Sequence, residues 1–177
     1  MRKEGHSRVE LFIGLLRISL GFLFLWAFLD KFLGLGFTTC KDVISGDVEY
    51  FCSQAVVNGG APAEGFLTYA TQGPLASLFQ SIASWWIVNA LFIVGLLAIG
   101  VALMLGIGVT IAVYSGSLLM LLMYLAVLPP EHNPLLDEHG IYILSLFIIL
   151  LTNDRQQLGL GKWWSNTKIV KRIPVLK

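Results

Sequence analysis

Four long apolar runs limit what this chain can fold into. They lie at 9–33, 85–105, 109–128 and 134–152. A helix needs about 20 residues to cross the hydrocarbon core of a bilayer, and the backbone is satisfied there only in helices and closed barrels. Because the runs are continuous rather than alternating, they favour helices over strands. The sequence therefore predicts an all-α integral membrane protein, a four-transmembrane-helix bundle that forms one membrane domain over 1–177.

The composition agrees with this prediction. Hydrophobic residues make up 56% of the 177 residues and charged residues 13%, with a mean hydropathy of +0.76. A net charge of +1 without a basic block excludes nucleic-acid binding, which needs clustered cations. The first run is too long for a signal peptide, contains Arg17 and precedes Asp30 and Lys31 rather than a cleavage site, so we expect it to be retained as a span.

The basic residues that flank the apolar runs predict the orientation of the chain. They lie before the first run and after the last, at Arg2, Lys3, Arg8, Arg155, Lys162, Lys168, Lys171, Arg172 and Lys177. By the positive-inside rule both termini and the tail 153–177 are cytoplasmic, and the chain is a multi-pass protein of the cell membrane. The segment 35–84 is then extracytoplasmic. Within it, the spacing of Leu75, Leu78, Phe79 and Ile82 predicts a short amphipathic helix on the membrane.

Charged residues occur at the outer ends of the first and fourth runs. Asp30 and Lys31 end the first run, whereas Asp137, Glu138 and His139 lie near the start of the fourth. The predicted topology places both groups on the extracytoplasmic side, where they can form a shared polar site. Long charged side chains can also serve only as interface anchors.

Helix capping offers a structural reason for some of these residues. Asn133 is a suitable N-cap, Pro134 suits the first helical position, and Asp137 and Glu138 complement the helix dipole in the first turn. Glu131 and His132 in the preceding loop lie on the same side. Capping is therefore part of the reason for Asp137 and Glu138, and a functional role in addition to it stays open.

His139 and Arg17 need separate explanations. A histidine gains nothing from a helix N-terminus, but it can pass protons when a quinone is reduced or oxidised. A simple interfacial histidine is the alternative. Arg17 lies about two turns inside the first run, so it faces a polar group in the bundle or extends to the headgroups.

The two cysteines, Cys40 and Cys52, both lie in the outer segment. A disulfide between them is permitted outside the cytoplasm, whereas their spacing does not fit a thioredoxin-like pair. No metal, haem or flavin motif is apparent in the sequence.

Several segments carry a resemblance to a known family. The segments "LLRISLGFLFLWAFLDKFLG", "GFLTYATQGPLASLFQ", "GLLAIGVALMLGIGVTIAV" and "NPLLDEHGIYILSLFIILL" followed by "LGLGKWW" resemble the DoxX/DoxD family in that order. The resemblance covers nearly the whole chain. It implies a membrane subunit of thiosulfate:quinone oxidoreductase, which oxidises thiosulfate to tetrathionate outside the cell and passes electrons to a membrane quinone. It also implies a DoxA-like partner subunit, terminal oxidase subunits as partners, or both.

On this reading the outer polar residues carry the chemistry. The candidate catalytic residues are Asp30, Lys31, Asp137, Glu138 and His139, and Arg17 and Tyr142 are candidates for contacting the quinone. The alternative is a non-catalytic accessory or assembly subunit of a respiratory membrane complex such as a terminal quinol oxidase. A homo-oligomer is compatible with either reading, and a transporter is disfavoured because no internal repeat is apparent.

Overall fold

The structure of the chain is all-helical over the described residues. The computed structural model describes residues 2–42, 44–130, 133, 135–153 and 158–177, with side chains from Arg8 onward. The α-helices in chain order are α1 (Arg2–Leu33), α2 (Pro62–Tyr69), α3 (Ala76–Ile82), α4 (Trp86–Leu105), α5 (Val109–Ala126), α6 (Glu138–Leu151), α7 (Gly161–Ser165) and α8 (Lys168–Arg172).

Three of these helices are long and apolar enough to cross a membrane. They are α1 from Arg8 onward, α4 and α5, which confirms the helical membrane class and places the ends of the first three runs within two residues of the prediction. The fourth run forms α6, which has only 14 residues. Such a helix rises about 21 Å, short of the roughly 30 Å of a hydrocarbon core. The described residues thus show three helices of spanning length and one shorter apolar helix.

The start of α6 differs from the sequence prediction. Asp137 is the N-cap, and its carboxylate accepts a hydrogen bond from the backbone amide of His139 at 3.0 Å. The expectation that Asn133 caps the helix was wrong: its side-chain oxygen instead accepts hydrogen bonds from Leu135 N and Leu136 N, in a turn before the helix. Pro134, Glu131 and His132 lie outside the described residues.

Four helices pack in a ring: α1 and α5 each contact both α4 and α6. Their core contains Leu20, Phe24, Leu96, Ile99, Leu103, Val109, Val113, Leu146 and Ile149. The closest approach is between α1 and α4, where a Cβ on Gly21 would lie 2.7 Å from Met104 N and one on Gly100 would lie 2.7 Å from Leu25 N. Both positions require glycine because the two backbones touch there.

The outer segment contains two short helices, of which the sequence predicted only α3. Phe79 and Ala83 join Leu67 of α2 and Ala126 of α5 in a second small core, with Leu75 and Ile82 packed against it. The predicted apolar face of α3 therefore packs mainly against protein, although Leu78 is 59% exposed. The missed helix α2 does carry start signals, with Pro62 at its first position and Glu64 in its first turn.

Candidate functional site

A partly open cavity of about 280 Å³ lies among α1, α4, α5 and α6. This volume is close to the lower end of the range for small-molecule sites, about 300 Å³. The cavity wall is mostly apolar, and its lining includes Leu20, Phe24, Phe92, Leu96, Met120 and Met123.

Polar groups gather at one end of this cavity. Lys31 reaches it from the last turn of α1, while Glu138 and His139 reach it from the first turn of α6. Tyr142 lines it one turn further along α6. Between Lys31 and Leu20 the α1 backbone rises about 16 Å, so the cavity combines a polar mouth with a long apolar wall.

The ring of His139 is held by the carboxylate that caps its own helix. His139 Nδ1 lies 2.7 Å from Asp137 Oδ2, and the side chains of both residues are mostly buried. A carboxylate on Nδ1 favours the tautomer with the proton on that nitrogen. The other ring nitrogen, Nε2, has no hydrogen bond to a described residue. It can therefore accept a proton from a ligand or, once protonated, donate one.

Asp30 is directed to the outer loop rather than to the cavity. Its Oδ1 accepts a hydrogen bond from Phe37 N at 3.0 Å. Its Oδ2 accepts from Thr38 N at 3.0 Å, Thr39 N at 3.1 Å and Thr38 Oγ1 at 2.6 Å. The residue is only 1% exposed. Its carboxylate therefore fastens the loop at 37–39 to the end of α1.

Lys31 lies beside Asp30 in the sequence but lines the cavity. Its Nζ donates a hydrogen bond to Thr38 Oγ1 at 3.1 Å, and this same hydroxyl donates to Asp30 Oδ2. The loop thus contacts both residues, and the ammonium group is held at the cavity mouth.

A disulfide between Cys40 and Cys52 closes the loop that directly follows the segment 37–39 held by Asp30. Both cysteines are buried around Ala55, which is fully buried. The loop also bonds back to the end of α1, because Phe51 N donates to Gly34 O at 3.0 Å. The described residues of 34–60, which we name the outer lobe after the side of the membrane that the sequence predicts for them, are therefore fixed at the same end of α1 as Lys31.

Arg17 lies at the other end of the bundle and does not line the cavity. Its Nη1 donates to the carbonyls of Leu103 and Met104, and its Nη2 donates to Leu158 O at 2.7 Å. The side chain is fully buried. These carbonyls belong to the last turn of α4 and to the chain after α6, where a cation is favoured by the helix dipole. The structure thus places Arg17 away from Tyr142, its partner in the sequence hypothesis of a quinone contact.

The sequence reasoning missed the apolar lining residues Phe92, Met120 and Met123. They lie in runs that are apolar on every face, so nothing in the pattern separates a cavity wall from a core or a lipid-facing position. Methionine is common where a surface must adapt to a ligand, but two methionines are too weak a signal to predict a site.

The described residues define a helical membrane protein with a polar-mouthed cavity among α1, α4, α5 and α6. Among them, no group of three histidine, cysteine or acidic residues could hold a metal ion. Comparisons of the chain with protein-family models, with curated proteins and with solved structures gave no match.

Proposed function

We propose that the cavity binds a membrane quinone and that the chain is a subunit of a thiosulfate:quinone oxidoreductase. The observation that carries the proposal is the convergence of Lys31, Glu138, His139 and Tyr142 on a cavity whose wall is otherwise apolar. A quinone has the matching chemistry, with two polar oxygens on a ring and an apolar tail. The resemblance to the DoxX/DoxD family supports thiosulfate as the electron donor.

The proposal includes a topology with four spans. In it, α6 is the fourth span, its first turn lies at the membrane boundary, and both termini are cytoplasmic. The apolar composition of α6 and the polar first turn that Asp137 caps support this arrangement. The outer lobe and the cavity mouth then face the outside of the cell, where thiosulfate would be oxidised.

The overall reaction balances without a further redox reagent. Two thiosulfate anions lose one electron each and join through a new sulfur–sulfur bond, which gives tetrathionate. The quinone takes up these two electrons and two protons and becomes a quinol. Thiosulfate releases no proton in this step, so both protons come from water at the cavity mouth.

The residues at the mouth have the groups that this proton uptake needs. Protonated His139 donates from Nε2 to a quinone oxygen, while the bond between His139 Nδ1 and Asp137 Oδ2 keeps the ring oriented. Glu138, which is exposed, connects the site to water. The ammonium group of Lys31 stabilises negative charge that develops on the quinone oxygen, and Tyr142 lies beside the ring.

The test is thiosulfate-dependent reduction of a short-chain quinone analogue by the purified protein, alone and with any DoxA-like subunit that copurifies. We expect His139→Gln to lower turnover by about 10²- to 10⁴-fold, the usual contribution of a general acid or base. Lys31→Gln should also lower it. Lys171→Gln is the matched control, since this lysine is exposed in α8, at the other end of the bundle from the cavity mouth, and should leave turnover unchanged.

A second candidate function is a non-catalytic subunit of a terminal quinol oxidase or similar complex. The observation that favours it is that Asp30 and Asp137 both have structural roles, one holding the outer lobe and the other capping α6. It would be supported by wild-type protein that binds no quinone analogue, shows no turnover with its copurifying subunits, and is recovered in stoichiometric amounts with an oxidase. That result would contradict the oxidoreductase proposal.

A further inference from the structure

The opposite end of the bundle carries a second polar pocket. It has a volume of about 80 Å³ and lies between the turn after α4, the end of α6 and α7. Its lining includes Gly106, Asn153, Gly161, Ser165 and two lysines, Lys162 and Lys177. Lys162 is exposed, and its ammonium group makes no hydrogen bond or ion pair with a described residue; only its backbone carbonyl accepts hydrogen bonds, from Ser165 Oγ and Asn166 Nδ2. The pocket thus offers the Lys162 ammonium group and the Asn153 side-chain amide to a small anion, whereas the Ser165 hydroxyl already donates to Lys162 O at 3.1 Å.

The chain around this pocket is strongly cationic. Residues 158–177, which we name the terminal segment, contain five basic residues and no acidic residue, the basic ones being Lys162, Lys168, Lys171, Arg172 and Lys177. A segment of this kind at a membrane attracts anionic headgroups, with about 1 kcal/mol for each Lys or Arg near the surface.

The terminal segment also exposes large apolar side chains beside these cations. Trp163 is 63% exposed and Ile169 is 57% exposed. Val170 instead faces the protein and is buried. Exposed aromatic and aliphatic groups mixed with cations are typical of a surface that lies at the headgroup level of a bilayer.

The terminal segment is fixed to the bundle and not merely tethered to it. Leu160 N donates to Leu105 O at 2.7 Å, and Thr110 N donates to Lys177 O at 2.9 Å. Arg17 bonds Leu158 O, and Trp164 Nε1 donates to Leu176 O at 2.5 Å. The cations and exposed apolar groups therefore have fixed positions around the end of α4, which a flexible basic tail would not provide.

We infer that this end of the bundle is a binding site for an anionic phospholipid, with the headgroup phosphate in the pocket beside Lys162. The acyl chains would lie along the apolar side of the bundle, and the exposed apolar groups of the terminal segment would contact the headgroup layer. The bound lipid bridges the turn after α4, the end of α6 and α7. It is independent of the outer cavity, which lies at the other end of α1.

The test uses the full-length protein in bilayers of phosphatidylcholine alone or of equal parts phosphatidylcholine and phosphatidylglycerol. Native mass spectrometry after extraction counts the retained lipid, and a phosphatidylglycerol titration gives the apparent affinity. We expect wild type to retain phosphatidylglycerol selectively. Lys162→Gln should weaken binding about fivefold or more, the effect of one lost cation contact, and Lys162→Arg should restore it.

Lys168→Gln is the matched control, because this lysine is exposed on the same segment but does not line the pocket. Its loss should weaken binding less than about twofold, since a solvated cation away from the phosphate is screened. If Lys162→Gln and Lys168→Gln lowered the affinity for phosphatidylglycerol equally, the inference would be overturned. Lipid binding would then reflect only the overall charge of the surface. A wild type that retains no phosphatidylglycerol, or one that binds free glycerol phosphate as tightly as the lipid, would also overturn the inference.

Discussion

Asp30 and Arg17 are both buried in α1, and both bind backbone groups, yet their partners lie at very different distances along the chain. Asp30 accepts hydrogen bonds from residues only seven to nine positions away. Arg17 donates to carbonyls that are 86, 87 and 141 positions away. The first charge therefore organises a local loop, whereas the second joins α1 to α4 and to the chain after α6.

Asp30 and Arg17 therefore show two different uses of a buried charged residue. A buried charge destabilises a protein unless it is hydrogen-bonded, and backbone amides and carbonyls provide those bonds without a second buried charge. Around Asp30 the amides come from the outer lobe, so the lobe is held beside the cavity mouth. Around Arg17, the carbonyls of Leu103 and Met104 lie in the last turn of α4, so the arginine acts as part of this helix terminus and also binds Leu158 O beyond α6.

The largest effect on the free energy of unfolding should come from replacing Arg17, which joins α1 to α4 and to the chain after α6. Arg17→Met leaves the carbonyls of Leu103, Met104 and Leu158 without their donor, and we expect it to lower the free energy of unfolding by about 3–5 kcal/mol. Arg17→Lys should recover only part of this loss, because one ammonium group cannot reach both places that the guanidinium bridges. Thermal unfolding in detergent, followed by far-ultraviolet circular dichroism, measures both. An Arg17→Met protein that melts like wild type would contradict this role.

A smaller and local effect is expected at the other end of α1. Asp30→Asn keeps the shape of the side chain but replaces one of its two acceptor oxygens by an NH2 group and removes the charge. Either the bond from Phe37 N or the bonds from Thr38 and Thr39 are then lost, depending on how the amide is oriented. We expect amide hydrogen exchange at 37–39 to rise about tenfold or more, since each lost bond to a charged acceptor costs about 1.5–3 kcal/mol. The helices α4 and α5 should keep their protection.

Asp47→Asn is the control for this variant, because Asp47 is exposed on the same lobe. It should change exchange at 37–39 little. Asp30→Asn could instead destabilise the whole bundle as much as Arg17→Met does. In that case the conclusion that Asp30 holds only a nearby loop, whereas Arg17 joins distant elements, would be wrong.

The spans could be predicted from the sequence because a bilayer imposes one length and one composition on any helix that crosses it. The boundaries of α4 and α5 and the end of α1 lie within two residues of the predicted ones, whereas α1 begins at Arg2, seven residues before the predicted run. The start of α6 was placed too early because Asn133 and Asp137 are both good caps, and only the tertiary structure shows which of them is used. The candidate residues at the outer site were also identified from the sequence, since charges at the end of an apolar run are conspicuous.

The role of Arg17 could not be predicted in the same way. Its partners are backbone carbonyls, which every residue has, so no pattern marks Leu103 or Leu158 as an acceptor. The separation of Asp30 from Lys31 was partly predictable, because adjacent helical residues point about 100° apart. What the sequence did not show is that Thr38 contacts both side chains, since a loop hydroxyl has no periodicity from which its position follows.

The smallest effect is expected at Asp42, an exposed residue that binds backbone amides in the same manner as buried Asp30. Its Oδ1 accepts hydrogen bonds from Ile44 N at 2.8 Å and Ser45 N at 2.7 Å. These bonds, with Ser45 first, lower the pKa of the Asp42 carboxyl below its ordinary value of 3.8. A carboxyl with a lowered pKa stabilises the folded turn above the unfolded value, and this contribution disappears as the pH falls through the folded value.

The turn at 42–45 should therefore be intact at neutral pH and should loosen only in acid. Amide chemical shifts of Ile44 and Ser45, followed by nuclear magnetic resonance as the pH is lowered, report the protonation of Asp42 directly. We expect their midpoint below 3.8 and little change in the melting of the bundle over the same range. A midpoint at or above that value would show that the amides do not favour the charged carboxylate. Asp42 would then resemble Asp30 only in the geometry of its hydrogen bonds to backbone amides.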